Sequence, residues 1–187
     1  MKKILSLLTL ISLTACSSTN SGEEILSISE TTYEQADFSI NIDSDWEAIG
    51  KNEFTSSVPS KTVVVFRNNM QNEIFTANIN ISKITINDSS SAKDFALNSL
   101  EEAEKNLSSF TEISSEEYKI GYLESYLPAH RIVFQGKESP SSVKIRFDQI
   151  FVVNNSIGYT ITGAYIPREE ENVVNNIEEM IESFSLK

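Results

Sequence analysis

FTANINISKITI, residues 75–86, gives way within five residues to SAKDFALNSLEEAEKNL, residues 91–107. In the first stretch Phe75, Ala77, Ile79 and Ile81 alternate with polar residues, the period-2 signal of a half-buried strand. The apolar phase then moves to Ile84 and Ile86, which predicts a bulge near Ser82 and Lys83. In the second stretch the period becomes helical. Ser91 and Asp94 form a capping box, and Ala96, Leu100, Ala103 and Leu107 follow on one face with Phe95 beside them. Glu101, Glu102, Glu104 and Lys105 occupy the opposite, wet face. A strand that ends in an amphipathic helix is the local choice from which the fold class follows.

Strand signals lie on both sides of this unit. Upstream, Phe38-Ser39-Ile40-Asn41-Ile42 alternates, Asp43-Ser44-Asp45 reads as a turn, Trp46 opens a short extended piece, and Val63 to Phe66 is a β-branched run. Arg67 to Glu73 is polar and loop-like. Downstream, strands are expected over 113–120, 127–135, 143–153 and 157–166, with Asn154-Asn155-Ser156 joining the last two as a hairpin. Pro167 is expected to open a closing helix. Glu169 to Glu171 favour its N-terminus, and Val173, Ile177, Met180 and Phe184 form its inner stripe. Helices separated by runs of strands, without strict βαβ alternation, mean an α+β domain: a mostly antiparallel sheet flanked by two amphipathic helices.

The chain begins differently. Lys2 and Lys3 precede an apolar run from Ile4 to Leu13, and Leu13-Thr14-Ala15-Cys16 follows at once. The order is that of a secretory signal, and the apolar run is far shorter than the roughly 20 residues that span a bilayer. Cys16 is the sole cysteine, so an internal disulfide is impossible. Leu-Thr-Ala-Cys resembles a bacterial lipobox, which implies a signal peptide over 1–15 and lipid on Cys16. Because one acyl chain binds membranes only marginally, such anchoring implies several chains, palmitate being a typical one. Residues 16–37 then form the lipidated cysteine and a flexible tether, and residues 38–187 the globular domain. A flexible tether of this length reaches roughly 25 Å.

Charge narrows the partners. The chain has 27 acidic against 15 basic residues, a formal charge of −12, and loss of Lys2 and Lys3 with the leader takes it to −14. That balance argues against nucleic acid, whose phosphates demand clustered Lys and Arg. It also sets the folded part against anionic headgroups, so membrane contact falls to the lipid.

Within the domain the order of elements resembles the PsbP-like superfamily, which includes bacterial lipoproteins related to DcrB. The residues that carry it are Phe38-Ser39-Ile40 leading to Trp46, the strand pair around Phe75 to Ile86, and the helix Ser91 to Leu107. Ala129-His130-Arg131-Ile132-Val133-Phe134, Tyr159-Thr160-Ile161-Thr162 and Ile181-Glu182-Ser183-Phe184 continue it. Where the family often has a proline, three residues before the tryptophan, this chain has Asp43. The resemblance implies an α/β/α sandwich and an extracytoplasmic accessory, assembly or binding role, without a shared catalytic constellation.

Catalytic and metal motifs are weak. With His130 the single histidine, a metal centre of clustered histidines is excluded, and no cofactor motif is found. Ser90-Ser91-Ala92-Lys93 fits Ser-x-x-Lys, but so does Ser141-Ser142-Val143-Lys144, and the companion elements of penicillin-binding enzymes are missing. Ser91 reads better as a helix cap. His130 would need a neighbouring hydroxyl and an orienting acid in a cleft to act as a base. Tyr118, Tyr122 and Tyr126, on an acidic glycine-containing segment, are either a partner-binding patch or rings that cover the sheet and fill its core. The expectation is a non-enzymatic lipoprotein of the cell envelope, anchored on the extracytoplasmic side of the cytoplasmic or outer membrane, that binds another envelope protein. The alternative is a small-ligand binder with a pocket between sheet and helices.

Overall fold

A computed structural model describes residues 31–187, apart from 56, 57, 71, 88 and 89. Ten strands and two helices follow in the order β1 (Thr31–Glu34), β2 (Phe38–Ile42), β3 (Trp46–Gly50), β4 (Thr62–Asn68), β5 (Asn78–Thr85), α1 (Ala92–Asn106), β6 (Ser108–Tyr122), β7 (Ser125–Lys137), β8 (Ile145–Asn154), β9 (Ile157–Tyr165), α2 (Glu171–Glu182) and β10 (Ser185–Leu186). The strands form one sheet in the order β1-β2-β10-β6-β7-β8-β9-β5-β4-β3. The sheet is mixed: β10 runs parallel to β6 and antiparallel to β2, while the remaining neighbours are antiparallel.

The sheet curls back on itself. β2 and β3 stand second and tenth in the order, yet only Asp43-Ser44-Asp45 separates them, a span of at most about 14 Å. The Trp46 amide donates to the Asp43 carbonyl (3.1 Å), and the Asp45 amide donates to the Asp43 side chain (2.9 Å). The turn read at 43–45 is therefore present, but it joins the two ends of the sheet rather than a hairpin. Trp46 is buried at this closure, in the main core.

That core lies inside the curl. Phe38, Ile40, Phe66, Ile79, Ile81, Ile150, Ile161 and Phe184 fill it together with Val173, Ile177, Met180 and Ile181 of α2. Because successive residues of a strand face opposite ways, the alternate residues of the same strands face outward. There α1 packs Phe95, Ala96, Leu100, Ala103 and Leu107 onto Ile132, Phe134, Phe147 and Phe151. Ser91 caps α1 with both halves of the box in place: its hydroxyl accepts from the Asp94 amide and its own amide donates to the Asp94 carboxylate.

Several expectations need correction. The segment read as tether is sheet from Thr31: β1 pairs with β2, so the ordered domain includes residues that precede 38. β5 has no bulge against β9, whose register is unbroken from Asn78 to Thr85. The irregularity lies opposite, where Val63 of β4 is the extra residue between Thr62 and Val64. The phase change itself has another cause. Ile79 and Ile81 face the inner core, whereas Ile84 packs on the outer cluster under Phe95 of α1. The covered face switches, not the backbone. α2 starts at Glu171 with Glu170 as its cap, four residues beyond Pro167. Asn155 and Ser156 make the β8–β9 turn with φ of 50° and 62°, the paired positive angles of a type I′ hairpin.

Candidate functional site

Helix α1 covers only part of the outer face. The register aligns Arg67, Asn78, Ala164 and Phe147 in one row across β4, β5, β9 and β8, and Val65, Asn80, Thr162 and Gln149 in the next. A third row holds Thr62, Ser82, Thr160 and Phe151. The β8 ends of these rows lie at or under α1, while the β9, β5 and β4 portions lie beyond it. The result is a groove of about 590 Å³. Its floor is Asn78, Asn80, Ser82, Thr160 and Thr162, and its walls include Leu107, Phe134 and Phe147 on one side and Val58, Pro59 and Val65 on the other.

The floor is uncharged and partly prearranged. Gln149 donates an amide N–H to the Thr162 hydroxyl (2.9 Å), and the Thr62 and Ser82 hydroxyls are 3.4 Å apart. Two cations stand at the groove: Arg67, held by Glu47 through Nε (2.7 Å) and Nη2, and Lys61, which has no carboxylate within ion-pair distance among the described residues. The combination of amides, hydroxyls, aromatic walls and a free ammonium can receive a polar or mildly anionic molecule or segment.

This site was missed from the sequence, although its signal was present. The polar phase of Asn78-Ile79-Asn80-Ile81-Ser82 and of Thr160-Ile161-Thr162 is the floor. In a single strand that phase reads as an ordinary wet face, and only the register brings the polar sides of β5 and β9 together.

The three tyrosines do not make one surface. Tyr118 and Tyr122 pack against the inner core, and Tyr118 carries the Arg131 guanidinium 5.8 Å from its ring centre. Burial raises the Tyr118 phenol above its ordinary pKa; the nearby Glu182 carboxylate adds to this and Arg131 opposes it. Tyr126 precedes Leu127, which packs inward, so its ring projects from the outer face and is 72% exposed. Leu123, at the tip of the β6–β7 hairpin, is similarly exposed. Cys16 lies outside the described residues.

His130 is buried, 3% exposed, on the outer face. Its Nε2 is 2.9 Å from the Ser115 hydroxyl, whereas Nδ1 is buried without a hydrogen-bond partner. Glu117 is its register partner on β6 but makes no hydrogen bond to the ring. A hydroxyl and an imidazole are thus brought together, and the orienting acid is not. Burial lowers the His130 pKa and the Lys93 charge lowers it further, against the opposite pull of Glu117 and Glu116. Burial and the Lys93 charge both favour the neutral ring.

No protein-family model matches this chain, and no curated protein does either. Solved structures do. The solution structure of cyanobacterial PsbP (CyanoP) from Synechocystis sp. PCC 6803 superimposes with a TM-score of 0.61 at 12% identity, covering 90% of this chain and 98% of that one. The fold is PsbP-like. LpqN of Mycobacterium tuberculosis, described as involved in cell envelope biogenesis, matches with a TM-score of 0.57 at 13% identity, over 84% of this chain and 90% of its own. PA94 of Pseudomonas aeruginosa, a protein of unknown function, gives 0.54 at 14% identity, over 82% and 94%. At these identities the likeness establishes architecture alone.

Proposed function

We propose that this chain is a non-enzymatic accessory and binding module of the cell envelope, held on the extracytoplasmic side of a membrane by lipid on Cys16, with the groove beside α1 as its binding surface. The observation that carries the reading is the half-covered outer face. A sheet of this size normally covers both faces or leaves one evenly polar, and here aromatic walls flank a floor of aligned amides and hydroxyls. The envelope role draws support from the lipobox-like Leu13-Thr14-Ala15-Cys16 and from the PsbP-like fold shared with LpqN. Anchoring would raise the local concentration of a rigid surface near its envelope partner.

The test combines palmitate labelling with in-cell cross-linking of the native chain, a Cys16→Ser chain and an Asn80→Arg chain. Label lost in Cys16→Ser establishes the anchor. One envelope protein captured by the native chain, and lost when Asn80→Arg fills the groove of a folded and lipidated protein, establishes the binding surface. Robust turnover of a cell-wall or lipid substrate by the purified protein would overturn the reading.

A second reading, carriage of a small ligand, is favoured by the groove volume, which falls within the range of about 300–1,000 Å³ typical of small-molecule sites. A ligand that copurifies with the native chain and not with Asn80→Arg would decide for it.

A further inference from the structure

The strands that floor the groove beside α1 are interior to the sheet: β5 lies between β4 and β9, and β9 between β5 and β8. Their backbone amides and carbonyls are committed to neighbouring strands, so no extended segment can join the sheet here and recognition falls to side chains. Those side chains are amides and hydroxyls, each able both to donate and to accept. Gln149 and Thr162 hold each other (2.9 Å), whereas Asn80 and Thr160 make no side-chain hydrogen bond among the described residues. Charge is nearly balanced. Arg67 is engaged by Glu47, and beyond Lys61, Ser82 and Thr160 the groove continues into a recess of about 250 Å³ where Glu102 of α1 accompanies Lys61. Groove and recess together follow α1 from Phe95 to Asn106, about 16 Å of helix. On the wall, Phe147 stacks on Phe134 (ring centres 5.1 Å apart at 25°) and is only half-buried, so part of its ring faces the groove.

We propose that this groove receives a neutral oligosaccharide, its hydroxyls bonded to Asn78, Asn80 and Thr160 and the C–H face of one sugar ring set against Phe147. A sugar hydroxyl donates and accepts at once, as the floor side chains do, and the C–H face of the ring suits an aromatic wall. The other classes of ligand fit less well. A phosphate or carboxylate presents acceptors only, and the one uncommitted ammonium, Lys61, shares its recess with the Glu102 carboxylate. A purely apolar ligand would strand the polar floor without water. A peptide has amides that only donate and carbonyls that only accept, and the sheet edge that ordinarily pairs with them is absent from this face. An elongated groove suits a chain of several rings better than a single one. The inference rests on the groove being the binding surface, and it names the class of molecule bound there.

The purified full chain, kept in a zwitterionic detergent that has no sugar headgroup, is titrated with chitotetraose, cellotetraose and maltotetraose. Acetyl-tetra-alanine amide serves as the neutral peptide control. The readout is the side-chain amide NMR signals of Asn78, Asn80 and Gln149, which line the groove. At least one sugar should give saturable shifts below about 10 mM, as a Kd near 1 mM or tighter requires. Asn80→Ala, on a partly exposed side chain, and Phe147→Leu, which keeps an apolar residue but removes the ring, should each weaken that binding about tenfold. Leu123→Ala, at the tip of the β6–β7 hairpin, should leave it unchanged. No saturable shift with any sugar, an equal response to the peptide, or binding indifferent to both groove substitutions overturns the inference. If Asn80→Arg still loses a cross-linked envelope protein, the groove stands as the binding surface and only the saccharide falls. If capture too is indifferent to Asn80→Arg, both fall.

Discussion

Tyr33 stands edge-on to Phe66, their ring centres 5.3 Å apart at 83°, although β1 and β4 are first and ninth in the sheet. This contact closes the curl. Lys83 of β5 reaches the same region, where it binds both Asp37 carboxylate oxygens (2.7 and 2.6 Å), and the Tyr159 hydroxyl donates to Asp37 as well (2.7 Å). The residues just before Phe38 therefore fasten the β1 end of the sheet to β4, β5 and β9 in its other half. Tyr33→Ala should cost about 2 kcal/mol in urea unfolding, from lost ring burial and an aromatic pair. Thr31→Ala, on the exposed end of the same strand, should change stability by less than about 0.5 kcal/mol. Equal effects would mean that the contact does not hold the edge.

Gly163 is fixed by the helix above it. A Cβ built there would lie 2.4 Å from Cγ2 of Ile177, closer than real carbon contacts allow. Gly163→Ala should destabilise by about 1–3 kcal/mol through overpacking between β9 and α2. Ile177→Leu removes the offending branch, so the double variant should recover part of that loss. If Gly163→Ala is neutral, α2 is free to lift away and the tight packing described above is incorrect.

How much of this was legible depends on how local each feature is. The capping box at Ser91 and Asp94, the α1 stripe and the β8–β9 turn depend on neighbours a few residues apart, and the sequence announces them. β10 is two residues long and has no period to detect; it becomes a strand because α2 delivers it between β2 and β6. β1 reads as polar tether because only Tyr33 among its four residues is large and apolar, and that ring finds its partner in β4. The switch at Ile84 looked like a bulge because one strand serves two cores, and a sequence pattern cannot name the helix that covers each face. The groove has the same origin: its floor is a wet phase in each strand until the register aligns β5 with β9.

Arg131 and Asp148 form a bidentate pair, Nε to Oδ1 at 2.9 Å and Nη2 to Oδ2 at 2.6 Å, while Nη1 reaches Glu182 of α2 at 3.0 Å. The Asp148 side chain is 2% exposed, and Arg131 is its ion-pair partner. The hydrogen bonds that Arg131 donates to Asp148 raise the Arg131 pKa and outweigh the effect of burial, so the guanidinium stays charged under all ordinary conditions. Asp148→Asn should therefore cost about 3–5 kcal/mol, since it leaves a half-paired buried cation. Replacing both residues with apolar ones, Arg131→Met with Asp148→Leu, should restore much of that loss. A double variant as unstable as the single one would assign the pair a role beyond charge compensation.

Acid should lower the stability of this protein in two separable pH ranges. His130 has its folded pKa below the ordinary value of 6.5, because burial and the Lys93 charge disfavour the imidazolium. The unfolded chain thus binds that proton first. The stability from a neutral His130 is complete above about pH 6.5 and falls as pH drops through the folded value. Asp37 is subject to opposing influences: burial disfavours its charge, while hydrogen bonds from Lys83 and Tyr159 and the Lys83 charge prevail and hold its pKa below 3.8. Its contribution is present above the unfolded value and is lost only at lower pH, as pH falls through the folded one. Urea midpoints measured across pH should therefore decline first below about pH 6.5 and again below about pH 4. His130→Gln should flatten the first decline and leave the second, whereas Asp37→Asn should do the reverse. The slopes are the readout, so a uniform loss of stability in either variant does not obscure the result. If His130→Gln leaves the upper slope unchanged, the titrating group there is not the buried histidine.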